Sequence, residues 1–150
     1  ISAIFLETAE NEKEHAKVFF KYLEGGDLEI TASYPAGIIK KTLENLLNAA
    51  AGENMEWTII YSDFEKVAHK EGFVSIAESF KQIAKVEKFH EERYKSLAKQ
   101  LKENSFFKKE KIVKWHCRNC GYIFEGKAPP KECPACRHPQ SYNEVLAENY

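Results

Sequence analysis

The sequence lacks the features that would place the protein in a membrane or outside the cell. No apolar run approaches the roughly 20 residues that a membrane-spanning helix requires. No basic start, apolar stretch and small-residue cleavage site form a secretory signal. The formal net charge is only −1, whereas nucleic-acid-binding domains normally carry a basic face. We therefore expect a cytoplasmic protein whose partners include neither a membrane nor nucleic acid.

Cysteine is missing from the first 116 residues, and all four cysteines lie close together in the C-terminal third of the sequence. They form two Cys-x-x-Cys pairs separated by twelve residues, Cys117 with Cys120 and Cys133 with Cys136. In a chain without a secretory signal, such clustering predicts metal ligation rather than a disulfide framework. Two such pairs can hold one tetrahedral metal. The spacing does not distinguish zinc from iron, because both metals accept four thiolates.

The sequence does contain one four-residue pattern twice, at an offset of 75 residues: Glu12-Lys-Glu-His15 and Glu87-Lys-Phe-His90. Residues three apart are neighbours on a helix, and an advance of about 100° per residue places both pairs on apolar helix faces. An unpaired carboxylate in an apolar core costs several kcal/mol or stays protonated. A bound metal ion is the simplest compensation for two such pairs.

Helical periodicity predicts three long helices, over residues 1–23, 42–71 and 75–102. Thr42 is a suitable N-cap for the second helix. The apolar stripe of this helix includes Glu53, and Glu56 lies near the edge of the same stripe.

The C-terminal part of the sequence has a different character. Residues 103–112 are predicted to be a linker, and the remainder has turn signals and short β-type runs without helical periodicity. We therefore predict two domains, residues 1–104 and residues 105–150.

The internal repeat also predicts a helix that this sequence does not include. The helix that carries Glu53 precedes the second copy of the motif, and an equivalent helix before the first copy would begin upstream of Ile1. Long helices with one apolar stripe need neighbours, and four is the common closed arrangement. We expect the first helix of the bundle to be unrecorded, cleaved or supplied by another chain, as in a helix-swapped dimer.

Ferritin-like di-metal bundles use one Glu from each of two helices and a Glu-x-x-His from each of the other two. This sequence supplies both Glu-x-x-His helices and one single-Glu helix. The predicted fold is therefore mainly α, a ferritin-like four-helix bundle with three helices in this chain, followed by a small metal-binding β domain. The alternative is that these are surface helices whose histidines are buried and hydrogen-bonded. Two copies on apolar faces, with a third buried Glu, favour the metal site.

Two segments of the sequence, from Glu7 to Lys17 and from Ala51 to Thr58, strongly resemble the rubrerythrin family of non-haem di-iron proteins. The resemblance covers essentially the whole chain, since residues 115–122 and 133–136 resemble rubredoxin. It implies a ferritin-like di-iron domain and a C-terminal rubredoxin-like domain that binds one iron. It therefore favours iron over structural zinc as the metal of the four cysteines.

The resemblance also implies roles for individual residues. One of the two irons is expected to move between His15 in the reduced state and Glu56 in the oxidised state. Tyr61 matches a tyrosine that hydrogen-bonds near the iron site, although Tyr61 and Trp57 are equally well explained as core aromatics with satisfied polar tips. Glu56, His15 and Tyr61 are thus the candidate catalytic residues. The di-iron ligands that the resemblance implies are Glu12, His15, Glu53, Glu56, Glu87 and His90.

The implied function is the reduction of hydrogen peroxide to water at the di-iron site, with electrons delivered one at a time through the iron that the four cysteines bind. The implied partners are a separate rubredoxin or an NAD(P)H-linked reductase as electron donor, and a second copy of the chain in a head-to-tail homodimer. Two alternatives remain. One is a ferritin-like protein that oxidises or stores iron, which does not need the cysteines. The other is a non-enzymatic protein with a structural zinc ribbon.

Overall fold

The computed structural model describes all 150 residues, and the chain divides into two compact units, Ile1–Ala98 and Lys99–Tyr150. This division falls within the last turns of the longest helix, whereas the predicted domain boundary between residues 104 and 105 stays a prediction. No helix is both long and apolar enough to cross a membrane.

The first unit is built from three long helical segments, which confirms the mainly helical fold. The second of these is continuous, because two α-helices follow each other through a π-helical segment without a break. The elements are α1 Ser2–Phe20, α2 Thr42–Met55, the π segment Glu56–Ile60, α3 Tyr61–Lys70 and α4 Val74–Lys102. Residues 21–41, which join α1 to α2, form neither helix nor strand.

The start of α2 differs from the predicted cap. Thr42 is the first helical residue, and Lys41 occupies the N-cap position without a side-chain cap hydrogen bond. The prediction of Thr42 as N-cap is therefore wrong. Asn45 fixes the entry of the chain instead, because its Oδ1 accepts the backbone N–H of Lys40 at 2.8 Å and its Nδ2 donates to the Lys40 carbonyl at 2.9 Å.

The turn between α3 and α4 is set by Gly72, which has a φ of +86°. The N–H of Phe73 donates to the carbonyl of Ala68 at 2.8 Å, and the N–H of Gly72 donates to that of His69 at 3.1 Å. This pair of hydrogen bonds is the Schellman motif, which needs a left-handed residue where glycine carries no steric cost. The chain therefore reverses abruptly and brings α4 back along α3.

α1 and α4 run antiparallel, as their aromatic contacts show. Phe5 near the start of α1 stacks on Tyr94 near the end of α4, with ring centroids 5.0 Å apart. At the other end, Phe19 stacks on Phe80 at 4.9 Å, and Tyr61 of α3 packs against Phe19 at 5.8 Å. The two Glu-x-x-His pairs lie between these aromatic layers, in the middle of the helices.

The second unit contains a three-stranded antiparallel sheet, with strands β1 Val113–Cys117, β2 Ile123–Gly126 and β3 Asn143–Val145 in the order β2-β1-β3. Trp115 on the central strand is almost completely buried, and its Nε1 donates to the carbonyl of Gly126 at 3.0 Å. Small domains bury little apolar surface and often depend on a bound metal for stability. The four cysteines of this unit are the candidate ligands for such a metal.

Candidate metal centres

The first candidate centre, the Glu/His centre, comprises the predicted residues Glu12, His15, Glu53, Glu56, Glu87 and His90. α1 supplies Glu12 and His15, α2 supplies Glu53, and α4 supplies Glu87 and His90. One ligand atom from each of Glu12, Glu53, Glu87 and His90 lies within 4.8 Å of all the others. His15 adjoins this group, since its Nδ1 lies 2.9 Å from Glu87 Oε1 and 3.1 Å from Glu12 Oε2.

The polar atoms of this centre fit a bound cation. Glu12 Oε1, Glu53 Oε2, both carboxylate oxygens of Glu87 and Nδ1 of His90 are buried without a hydrogen-bond partner. Nδ1 of His90 lies 3.0 Å from Glu87 and 3.2 Å from Glu12, but these approaches lack hydrogen-bond geometry. Nearly all buried polar groups in proteins are hydrogen-bonded. Convergent donor atoms without partners are the arrangement expected of metal ligands.

Asn11 fixes the orientation of His90 from the far side of the ring. Its Oδ1 lies 3.2 Å from His90 Nε2, and because a carbonyl oxygen accepts, Nε2 carries the proton and donates. In the neutral ring, Nδ1, which faces the carboxylates, is then the nitrogen with the free lone pair. An outer partner of this kind sets the tautomer and the ring orientation of a metal-binding histidine.

The carboxylates change the proton affinity of both histidines. A hydrogen bond to Glu12 and the close carboxylate of Glu87 raise the pKa of His15 to about 9. The close carboxylates of Glu12, Glu53 and Glu87 raise the pKa of His90 to about 11. Burial raises the pKa of Glu12, but the hydrogen bond to His15 and the close approach of His90 outweigh burial and lower it to about 2. The centre therefore favours positive charge, which either protons or a metal can supply.

Glu56 and Tyr61 lie on the same continuous helix, at the first residue of the π segment and the first residue of α3. Burial raises the pKa of Glu56 to about 7, and the charges of Glu53, Glu12 and Glu87 act in the same direction. Burial is also the main cause that raises the pKa of Tyr61 well above its usual value, and the charges of Glu87 and Glu56 raise it further. Both side chains thus feel the carboxylates of the centre, and their catalytic roles stay predictions.

Glu91 is a buried carboxylate that the sequence reasoning did not single out. It accepts hydrogen bonds from Trp57 Nε1 at 2.6 Å and from Asn54 Nδ2 at 3.1 Å, and it pairs with Lys95. Burial raises the pKa of Glu91, but these donors outweigh burial and lower it below its usual value. The polar tip of Trp57 is therefore satisfied. Asn54 and Trp57 flank Glu56, so Glu91 ties the start of the π segment to α4.

The second candidate centre, the cysteine centre, consists of Cys117, Cys120, Cys133 and Cys136. One Sγ atom of each lies within 4.8 Å of the others, and the distances from Cys117 to Cys136 and from Cys120 to Cys133 are both 3.7 Å. A tetrahedral metal with metal–sulfur bonds of about 2.3 Å separates its sulfurs by about 3.8 Å. The spacing of the thiols therefore fits one tetrahedral metal ion.

In the cysteine centre, a residue with a left-handed backbone conformation directly follows each Cys-x-x-Cys pair. Gly121 has a φ of +79° and Arg137 a φ of +63°. The N–H of Gly121 donates to the Cys117 carbonyl at 2.8 Å, and the N–H of Arg137 donates to the Cys133 carbonyl at 2.9 Å. Each turn therefore contains a backbone hydrogen bond of the same type, and this bond brings the two thiols of its pair to one side.

Both parts of the chain match known families. The family described as "Rubrerythrin" matches residues 1–98, and the family described as "Rubrerythrin, rubredoxin-like domain" matches residues 115–144. The rubrerythrin of Porphyromonas gingivalis is 57% identical over 150 residues, which cover 100% of this chain and 75% of that protein. Rubrerythrin-1 of Clostridium acetobutylicum is 56% identical over 155 residues, covering 100% of this chain and 79% of that protein.

A solved structure described as "Partially Reduced State of Nigerythrin" is also similar, with a TM-score of 0.58 and 25% sequence identity. The match covers 95% of this chain and 68% of that chain. The Glu/His group and the four cysteines give this chain the residues of a di-iron site and of a rubredoxin-like iron site. The chain belongs to the rubrerythrin family.

Proposed function

We propose that this protein reduces hydrogen peroxide to water at the Glu/His centre and receives electrons through the cysteine centre. The observation that carries the proposal is that one chain contains two different sets of metal-binding groups. Carboxylate and imidazole groups suit iron that reacts with oxygen species, whereas four thiolates suit iron that transfers single electrons. The implied reaction of the rubrerythrin family supports the same assignment.

When bound, a pair of iron ions supplies the two electrons that convert one peroxide molecule and two protons into two water molecules. The side chains of Glu12, Glu53, Glu87 and His90 would hold this pair, together with His15 in the reduced state and Glu56 in the oxidised state. Burial raises the pKa of Glu56 to about 7 in the metal-free centre, so its carboxyl group can hold and deliver a proton in the state in which it does not bind a metal.

The cysteine centre favours peroxide reduction over iron storage, because storage needs no one-electron carrier. A reductase linked to NAD(P)H or a separate rubredoxin would return electrons to the cysteine centre. Cytoplasmic reducing conditions would keep the four thiols available as ligands.

The distribution of charge supports transfer between two copies of the chain. Residues 1–98 contain twelve Lys and Arg against seventeen Asp and Glu, whereas residues 99–150 contain ten against six. The helical unit is thus negative and the cysteine-containing unit positive. Opposite charges steer association, so the positive unit of one copy would approach the negative unit of another, in agreement with a head-to-tail dimer.

The direct test is oxidation of the fully reduced, iron-loaded protein by less than one equivalent of hydrogen peroxide without oxygen. Ferric tetrathiolate absorbs strongly in the visible range, so the return of colour reports electrons that leave the cysteine centre. We expect two electrons to leave the protein for each peroxide consumed. With a rubredoxin or an NAD(P)H-linked reductase as donor and an excess of peroxide, the unsubstituted protein should turn over repeatedly. Cys133→Ser protein should consume peroxide once and then stop, because its Glu/His centre is not reduced again.

A matched pair of variants tests the role of Glu56. Glu56→Gln should slow peroxide consumption at least about tenfold, whereas Glu44→Gln, which changes an exposed residue of the same continuous helix, should not. Iron uptake far beyond the capacity of the two centres would instead support storage. A colourless protein purified with zinc at the cysteine centre would contradict the proposal.

A further inference from the structure

The two Glu-x-x-His motifs are related by a pseudo-twofold exchange of α1 and α4. Nδ1 of His15 lies 2.9 Å from Glu87, and Nδ1 of His90 lies 3.2 Å from Glu12. Each histidine therefore approaches the glutamate of the other motif. The offset of 75 residues that relates the motifs in the sequence also relates their contacts in the structure.

One residue breaks this symmetry. Nε2 of His90 contacts Oδ1 of Asn11 on α1 at 3.2 Å. The residue that corresponds to Asn11 in the second copy is Val86 on α4, and an isopropyl side chain has no hydrogen-bonding group. The ion pairs of His15 run through Nδ1, to Glu12 and Glu87. Its side chain is 12% exposed, whereas that of His90 is 2% exposed.

We infer that Asn11 is a positioning residue that fixes His90 as a permanent metal ligand, and that Val86 gives Nε2 of His15 no comparable hydrogen-bond partner. The hydrogen bond at Nε2 restricts both the tautomer and the ring rotation of His90. Nothing equivalent restrains His15. This inference rests on the proposed function, because it explains which half of the centre exchanges a histidine for Glu56 during the redox cycle.

The tautomer part of the inference can be tested without any redox reaction. In protein whose sites are filled with diamagnetic Zn²⁺, ¹⁵N-resolved NMR of the imidazoles should show a slowly exchanging Nε2–H for His90 and a rapidly exchanging one for His15. Asn11→Val should abolish the slow exchange at His90 and weaken Zn²⁺ binding to the Glu/His centre about 10- to 100-fold. Asn11→Asp, which keeps an acceptor oxygen, should retain the slow exchange.

The reciprocal variant Val86→Asn tests the other half of the inference. It should give His15 a slowly exchanging Nε2–H and should reduce the spectral change that accompanies reduction of the iron-loaded Glu/His centre. Unchanged exchange at His90 and unchanged Zn²⁺ affinity in Asn11→Val would overturn the inference. These measurements use no peroxide, so a protein that failed to reduce peroxide could still satisfy them, and the two failures are distinguishable.

Discussion

Glu87 shows, at the scale of one residue, why the Glu/His centre needs a cation. Its side chain is 0% exposed and both carboxylate oxygens lack a hydrogen-bond partner. Nδ1 of His15 and Nδ1 of His90 lie 2.9 Å and 3.0 Å from these oxygens. A buried carboxylate without a compensating charge would cost several kcal/mol. Protonated histidines or a bound metal therefore have to accompany it.

Replacement of Glu87 should separate the two centres. In Glu87→Ala, we expect Fe²⁺ affinity at the Glu/His centre to fall at least about 100-fold, because the carboxylate that lies between both histidines is lost. The visible absorption of the cysteine centre should persist. The matched control is Glu78→Ala, an exposed residue of the same helix, which should leave both centres unchanged. Loss of both signals in Glu87→Ala would contradict the two-unit organisation.

At the scale of residues, helical periodicity in the sequence predicts which side chains point toward the core. The structure brings Glu12, Glu53, Glu87 and His90 together because all four lie on the apolar stripes of their helices. Glu91 lies at the edge of such a stripe, where an angular count does not separate a buried carboxylate from an exposed one. Its burial depends on donors from another helix, which the sequence of α4 does not encode.

At the scale of elements, Glu91 links α4 to the π segment. Trp57 is the second residue of that segment and Asn54 precedes it, and both donate hydrogen bonds to Glu91. A π segment inserts an extra residue into a helical turn and is often found at functional sites. Here it carries Glu56, so the contacts of Glu91 bear on the orientation of a predicted catalytic side chain.

Removal of the Glu91 carboxylate should destabilise the first unit. In Glu91→Leu the buried donors of Trp57 and Asn54 lose their acceptor, so we expect the free energy of unfolding to fall by about 2–3 kcal/mol. Glu91→Gln keeps one acceptor oxygen and should cost about 1 kcal/mol. Urea unfolding of the metal-free protein measures both. Glu92→Leu, at the exposed neighbouring position, should change the value by less than about 0.5 kcal/mol.

The elements themselves were largely predictable, and the π segment was not. The three predicted helices agree with the structure to within a few residues, because long apolar stripes and Gly72 mark them in the sequence. A single inserted residue barely alters the apolar stripe of a long helix, so the sequence pattern does not reveal the π segment. The contacts that hold the π segment come from α4. The left-handed conformation of Arg137 was likewise not predictable. Gly121 indicates its turn by residue type, whereas Arg137 adopts the same φ region through tertiary context.

At the scale of the whole molecule, stability and metal binding should depend on pH in opposite directions. A histidine whose pKa is higher in the folded than in the unfolded protein stabilises the fold fully below the unfolded value, and this stabilisation is lost as the pH rises through the folded value. For His15 this window runs from 6.5 to about 9. Metal ligands must release their protons, so metal affinity rises across the same window.

We therefore expect the metal-free protein to lose on the order of 2 kcal/mol of unfolding free energy between pH 6.5 and pH 9. The higher pKa of His90, about 11, prolongs this decline above pH 9. Chemical denaturation at several pH values measures it. His15→Gln should flatten the profile, whereas His69→Gln, at an exposed position of α3, should not. A stability that rises over this range would contradict the role of the protonated histidines.

The opposite charges of the two units lead to a prediction about electron transfer between copies. A Glu87→Ala chain keeps its cysteine centre, and a Cys133→Ser chain keeps its Glu/His centre. Even with a rubredoxin or an NAD(P)H-linked reductase as electron donor, neither should turn over peroxide repeatedly alone. If the positive unit of one copy serves the negative unit of another, a mixture of the two variants should regain turnover.

Because the attraction between the two units acts between exposed charges, salt should screen it. We expect the rate of the mixture to fall about threefold to tenfold between low and physiological ionic strength. A mixture without activity would show that transfer requires both centres in one chain, and a rate independent of salt would remove charge as the cause of association.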